Sequence, residues 1–294
     1  MKPQHVMLAI LINAVWGFNF VAAKYGVTHF PPIFFSGLRF VIVLAVAFPF
    51  LRWVPGQMRV IFAAALLMGV FHYAIMFTAI RFTDDISPIA IAVQLHVPFS
   101  TIVAIIFLKE RIGMVRASAL VVAFTGVVVI AFDPGIINSL LALSMATGAA
   151  FAMALSTVLM RFMKGVGVFN LQAWIALIAA PCLFLISIVV ETGQIETFQS
   201  AAWVEWGSVA FSAIGATIIG HGLMFYLLQR YPVNVTLPYT LLAPLFGIAF
   251  GVTILGDVLT PQIVFGAMFT LSGVAVIALR QGKKKLLKEQ GETA

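Results

Sequence analysis

Four polar side chains lie deep inside long apolar runs: His72, Gln94, His96 and His221. Imidazole has an unperturbed pKa near neutrality, so each histidine can carry a proton or serve as hydrogen-bond donor and acceptor. The glutamine amide both donates and accepts, which suits an amino-acid head group. Each also has a plainer reading, as a polar group bonded to a neighbouring helix. The first apolar run sets Asn13, Trp16 and Phe20 along one stripe, with Asn19 beside it. A tryptophan at that depth is no interfacial anchor; it walls a cavity or packs at a helix contact. Tyr73 with Met76 and Phe77, Tyr226, and Tyr239 with Thr240 offer apolar walls with polar tips. Gln94 and His96 are two residues apart, about 200° around an α-helix, so one narrow cavity is expected to take only one of them. The candidate substrate-contacting residues are His72, Tyr73, Trp16, Asn13, Gln94, His96, His221 and Tyr239.

Other charged residues read as structural. Arg39, toward one end of the second run, is expected to pair with Asp84, Asp85 or Asp133, with capture of a substrate carboxylate as the alternative. Lys24 has the same two readings. No Lys or Arg is expected at the midplane, which argues against phosphorylated substrates. No phosphate-binding loop, H-E-x-x-H, G-x-S-x-G or CxxC pattern occurs, so no cofactor, metal or catalytic residue is expected. The lone Cys182 permits no internal disulfide.

These side chains need elements that hold them inside a membrane. The chain has 294 residues, 62% hydrophobic and 9% charged, with mean hydropathy +1.10. A soluble chain carries about 25% charge. Ten apolar runs are expected to span as helices: 5–24, 33–51, 60–80, 87–108, 113–132, 139–162, 168–190, 203–229, 234–255 and 261–280. Each can cross a core of about 30 Å. The first run reads as a retained span rather than a cleaved signal. The longer connection from Glu191 to Glu205 reads as a loop. Pro98, Pro238 and Pro244 lie within spans and mark kinks, static or flexible. The Gly247-x-x-x-Gly251 pair suits close helix contact within the chain, or dimerisation.

Placing the N-terminus inside puts fourteen of the seventeen Lys and Arg on the inner side. The outer loops then hold Asp84, Asp85, Asp133, Glu191, Glu196, Glu205 and Asp257. The net charge of +7 therefore reads as a topology signal beside lipid, not as a nucleic-acid surface. The basic tail, Lys283 to Lys285, reads as an orientation and lipid-surface feature.

The sequence also repeats. FLKER at 107–111 precedes FTGVVVIA at 124–131; ILGDV at 254–258 precedes LSGVAVIA at 271–278. Glu110 matches Asp257 and Gly126 matches Gly273, each pair 147 apart, and Pro98 matches Pro244. With five spans per unit, the second unit enters the membrane upside down, and a substrate site is expected where the halves meet.

The segments AVWGFNFVAAK at 14–24, PPIFFSGLRF at 31–40, the FLKER turn and YLLQRYPVNVTLPYTLLAPLFG at 226–247 resemble the EamA-type transporters of the drug/metabolite transporter superfamily. Within it they are similar to bacterial exporters of amino acids and metabolites of the cysteine/O-acetylserine type. Phe151, where many relatives have tryptophan, and the Gly256-Asp257 pair depart from the pattern. The resemblance implies an all-α integral membrane fold: ten transmembrane helices as two inverted five-helix repeats, 5–132 and 139–280, around a central cavity, with a basic tail at 281–294. It implies export of a small-molecule substrate across a bacterial inner membrane, with both termini cytoplasmic, by a monomer or homodimer. Proton antiport through His72 or His221 is the finer expectation. An uncoupled facilitator is the alternative in the same class, and an intramembrane enzyme the alternative in another.

Overall fold

A computed structural model describes residues 1–109, 112–231 and 236–289, without the side chains of 137–138, 237–238 and 281–289. Glu110 and Arg111 of the FLKER turn, Pro232, residues 290–294, and the side chains of Pro238, Lys283, Lys284, Lys285 and Lys288 lie outside the described residues. Every regular element described is helical. Among the described residues, nine helices are long and apolar enough to cross a membrane: α1 (Pro3–His29), α2 (Pro32–Phe50), α3 (Met58–Arg81), α4 (Ser87–Leu108), α5 (Met114–Ala131), α6 (Leu140–Met160), α7 (Val168–Val190), α8 (Trp203–Leu228) and α10 (Pro261–Arg280). The ninth in chain order, α9 (Tyr239–Leu255), is shorter in its described part. The connection between Glu191 and Glu205 is not all loop. It holds a short helix, Gln194–Ser200, begun at Gly193, whose φ is +80°.

The two halves interlock. The first helix of each half packs on the third and fourth helices of the other: α1 on α8 and α9, α6 on α3 and α4. The second helices, α2 and α7, pair with each other, as do the fifth, α5 and α10. The α5–α10 seam shows the inverted relation in atomic detail. A Cβ on Gly273 would lie 2.6 Å from the Ala119 carbonyl oxygen and 2.7 Å from the Ala123 nitrogen. One on Gly126 would meet Gly266 and Thr270, the positions equivalent to Ala119 and Ala123 after a shift of 147. Reciprocal contacts of this kind are what a two-fold axis between like surfaces produces. Glycine lets the two backbones touch where apolar side chains gain little by leaving lipid. Gly247 packs inside the chain as well, against Ala90 and Phe20.

The backbone irregularities repeat too. Pro98 and Pro244 cannot donate to the carbonyls four residues upstream, at Gln94 and Thr240. The chain answers with 3₁₀ turns at Val93–Leu95 and Leu237–Leu241. The third helix of each half widens to π pitch, at Leu66–His72 in α3 and Phe211–Gly220 in α8. The Thr217 hydroxyl donates to the Ser212 carbonyl five residues back, at 3.0 Å, in keeping with that pitch. Four helices thus carry such irregular segments.

Candidate substrate site

The irregular segments converge on one cavity of about 420 Å³, within the range of about 300–1,000 Å³ usual for small-molecule sites. Its wall takes residues from both halves: α1, α2, α3 and α4 from the first, α6, α8, α9 and α10 from the second. Six of the eight expected residues line it: Trp16, His72, Tyr73, Gln94, His96 and His221. Asn13 is fully buried away from the lining and donates its amide to the Ala9 carbonyl at 2.7 Å. Tyr239 packs beside Ala9, Ile12, Met224 and Leu227, while its neighbour Thr240 reaches the wall. Tyr226 stacks on the Arg230 guanidinium at 3.6 Å, outside the lining.

Gln94 and His96 both face the cavity, against the expectation of one. The 3₁₀ turn between them is the cause. Three residues per turn advance each residue about 120°, so the pair stands about 120° apart the short way round instead of about 160°. A broad cavity accepts both.

The histidines share one hydrogen-bonding scheme. His72 Nδ1 meets the Ala149 carbonyl at 2.9 Å, His96 Nδ1 the Val93 carbonyl at 3.0 Å, and His221 Nδ1 the Thr217 carbonyl at 3.1 Å. A carbonyl only accepts, so each Nδ1 carries the proton, and in the neutral ring Nε2 is left as an acceptor. Trp16 is fixed from two sides: its Nε1 donates to the Ala216 carbonyl at 3.0 Å, and its ring lies 5.4 Å from that of His221. Asn19 accepts the Ser212 hydroxyl at 2.6 Å and joins the wall.

Arg39 is a correction in two respects. Among the described residues it pairs with no acidic side chain; its Nη2 donates to the Ser212 carbonyl at 3.4 Å and to the Thr217 hydroxyl. It also places a cation at the cavity wall, where none was expected. The signal was countable: seven residues beyond Pro32 are about 10 Å of helix, well past an interface. Lys24 instead reaches the Ile80 and Thr83 carbonyls.

Beyond the cavity, the acidic end of the bundle is closed. The Ser87 amide and hydroxyl donate to Asp257 at 2.7 and 2.5 Å, tying α4 to the α9–α10 turn. Gly256, at φ +82°, makes the bend that brings Asp257 back. The Val258 amide donates to Asp85 at 3.3 Å, and the Thr260 hydroxyl to Asp133. Glu191 receives the Ile33 and Phe34 amides at 2.8 and 3.0 Å, a carboxylate at the positive start of α2. Val27, Phe30, Phe35, Phe77, Ile80, Ile86 and Ile89 form the apolar layer under this seal. The first part of α4, Ser87–Ala92, packs on α6, α9 and α10, and His96–Leu108 packs on α6 and α10.

A cavity shared by two inverted five-helix units is a transporter architecture, and comparison with known proteins agrees. The EamA-like transporter family profile matches residues 4–132 and 140–279. This chain belongs to the EamA-like transporter family. A "Probable amino-acid metabolite efflux pump" of Salmonella typhimurium is 29% identical over 287 residues, covering 94% of this chain and 95% of that one. Its Escherichia coli K12 namesake is 27% identical over 285 residues, with the same shares. An "Uncharacterized transporter YoaV" of Bacillus subtilis is 23% identical, over 96% of this chain and 99% of its own. One crystal structure superposes with a TM-score of 0.63 over 97% of this EamA chain and 99% of its own, at 16% identity, which establishes likeness of fold. The chain is therefore a multi-pass membrane transporter.

Proposed function

We propose that this transporter exports small metabolites, amino acids or their derivatives, across the bacterial inner membrane by alternating access of its two halves, with both termini in the cytoplasm. The cavity carries the reading. It is walled by both halves, it has room for a small molecule, and its polar groups are few and convergent. The names of two relatives, each a probable amino-acid metabolite efflux pump, support the substrate class. The bonds at the acidic end belong to a state closed on that side. In alternating access the seal between Ser87 and Asp257 breaks as the other end closes.

Counterflow into proteoliposomes, across a panel of amino acids and metabolites, tests the reading. Accelerated uptake of one or more amino acids in vesicles preloaded with unlabelled substrate is expected. Chemical conversion of a candidate substrate, with no counterflow, would replace transport by catalysis. Coupling is tested in the same vesicles: under proton antiport an imposed pH gradient drives uptake, and His72→Ala or His221→Ala removes that drive. An unchanged pH response in both variants discards the histidines as proton carriers.

A further inference from the structure

Arg39 is buried to 1% exposure in the second helix, and its charge has no carboxylate partner among the described residues. Its hydrogen bonds both run from Nη2 to neutral oxygens of α8, while Nε and Nη1 find no partner. Those two nitrogens hold three N–H donors. The guanidinium cannot escape by giving up its proton. A buried, unmatched cation is among the costliest arrangements in a protein. Three rings surround it instead: Tyr73 at 4.1 Å from ring centroid to guanidinium carbon, Phe40 at 5.1 Å and Phe77 at 5.4 Å. Ring faces attract a cation, yet they satisfy no N–H. Of these rings, Tyr73 and Phe77 also line the cavity, as Arg39 does.

We propose that Arg39 is the carboxylate receptor of the cavity. A substrate carboxylate displaces the Tyr73 ring and accepts, in the plane of the guanidinium, from the N–H groups now unmet. The exchange is favourable because a guanidinium–carboxylate bond is charge-assisted on both sides, whereas a ring face offers only its quadrupole. The same wall holds groups for the ligand's other charge. His72, His96 and His221 each spend Nδ1 on a carbonyl, so Nε2 is an acceptor for a substrate ammonium. A cation and neutral acceptors on one cavity wall select a zwitterion over its amide, in which the carboxylate charge is gone. A single guanidinium suits a carboxylate better than a doubly charged phosphate, which calls for a cluster of donors. The inference rests on the transport reading above and narrows its substrate to carboxylate-bearing molecules.

The test is uptake into proteoliposomes of leucine, cysteine and phenylalanine, each beside its own amide, together with one phosphate monoester. Wild-type protein is expected to prefer each acid to its amide. Arg39→Gln is expected to lower acid uptake at low concentration about 10- to 100-fold, the worth of a charged hydrogen bond, and amide uptake less than about threefold. A purely structural Arg39 would depress acid and amide together, leaving their ratio unchanged, and that result overturns the proposal. If Arg39→Gln fails to fold, Arg39→Lys carries the test: it keeps the charge and loses the planar fork, so acid uptake falls while amide uptake holds. Preference for the amides or the phosphate ester in the wild type also overturns it, with transport intact. Uptake of none of the panel sinks the amino-acid reading together with this one.

Discussion

Asp257 and Arg39 are both buried charges, one at the acidic end of the bundle and one at the cavity wall. Asp257 receives two donors from Ser87, at 2.7 and 2.5 Å, with only Oδ1 left unmet. Its carboxylate joins the start of α4 to the turn after α9, so the charge works as a staple. Arg39 donates from one nitrogen and leaves two without partners, against rings that supply no acceptor. The chain has paired hydroxyl, amide and carboxylate where it needs closure and left donors over where a ligand enters. Buried polar groups are nearly always satisfied, so two unmet nitrogens on one buried cation are informative. The halves differ in the same way. They repeat the π segments, the proline-linked 3₁₀ turns and the glycine seam, yet α7, the partner of Arg39's helix, contains no charged residue. Backbone geometry is duplicated; the cation is present once in that pair.

The contrast can be broken most forcefully at Asp257. Asp257→Ala leaves the Ser87 amide and hydroxyl without an acceptor and should cost about 3 kcal/mol, read by denaturation of the purified protein in detergent. Asp257→Asn keeps an acceptor oxygen and should recover about half of that loss. An alanine variant as stable as the parent would show that the seal does not hold this end. Arg39→Met should move stability the other way. Methionine fills the space among the three rings without a buried charge, so a gain of about 1–2 kcal/mol is expected, together with loss of carboxylate preference. Should Arg39→Met instead destabilise as Asp257→Ala does, Arg39 is a staple too and the contrast disappears. A smaller effect belongs to Trp16→Phe, which keeps the aromatic wall and loses the bond to the Ala216 carbonyl. About 1 kcal/mol of stability is at stake, along with looser substrate discrimination in competition assays.

Much of this fold was legible in the sequence because its cause is periodic and local. Apolar length marks spans, and Glu110, Gly126 and Pro98 each have a counterpart at one near-constant spacing, so the repeat could be read before any contact was known. The candidate site was legible in part. His72, His221 and Trp16 announce themselves by depth alone. Asn13 lies at a similar depth but turns to the Ala9 carbonyl one helical turn back, a choice composition does not reveal. Gln94 and His96 defeated a uniform α-helical pitch, because Pro98 changes the pitch upstream of itself. Arg39 was misassigned because acidic residues lay at the nearer end of the bundle, and one-dimensional reading pairs opposite charges by end. Its actual acceptors, Ser212 and Thr217, are more than 170 residues away on the π segment of α8, a contact that only tertiary packing creates.

The smallest effect separates the two regions by pH. Burial pushes the Asp85 carboxyl above its ordinary range; the neighbouring charges of Asp257, Asp84 and Asp133 push the same way, against the bond from the Val258 amide. A carboxyl whose pKa is raised by folding binds its proton more tightly in the folded protein. Its contribution to stability is fully present below the unfolded pKa, and it is lost as pH rises through the folded value. The acidic end should therefore tighten as pH falls from about 7 toward about 4, the ordinary aspartate range. Asp85→Asn, which cannot titrate, should flatten that part of the stability profile. Arg39 keeps its charge throughout this interval, so Arg39→Met should shift the whole profile without changing its slope. Melting curves of the three proteins over that interval compare the regions directly. A slope that survives Asp85→Asn would assign the titration to another group and separate Asp85 from the seal that Asp257 makes.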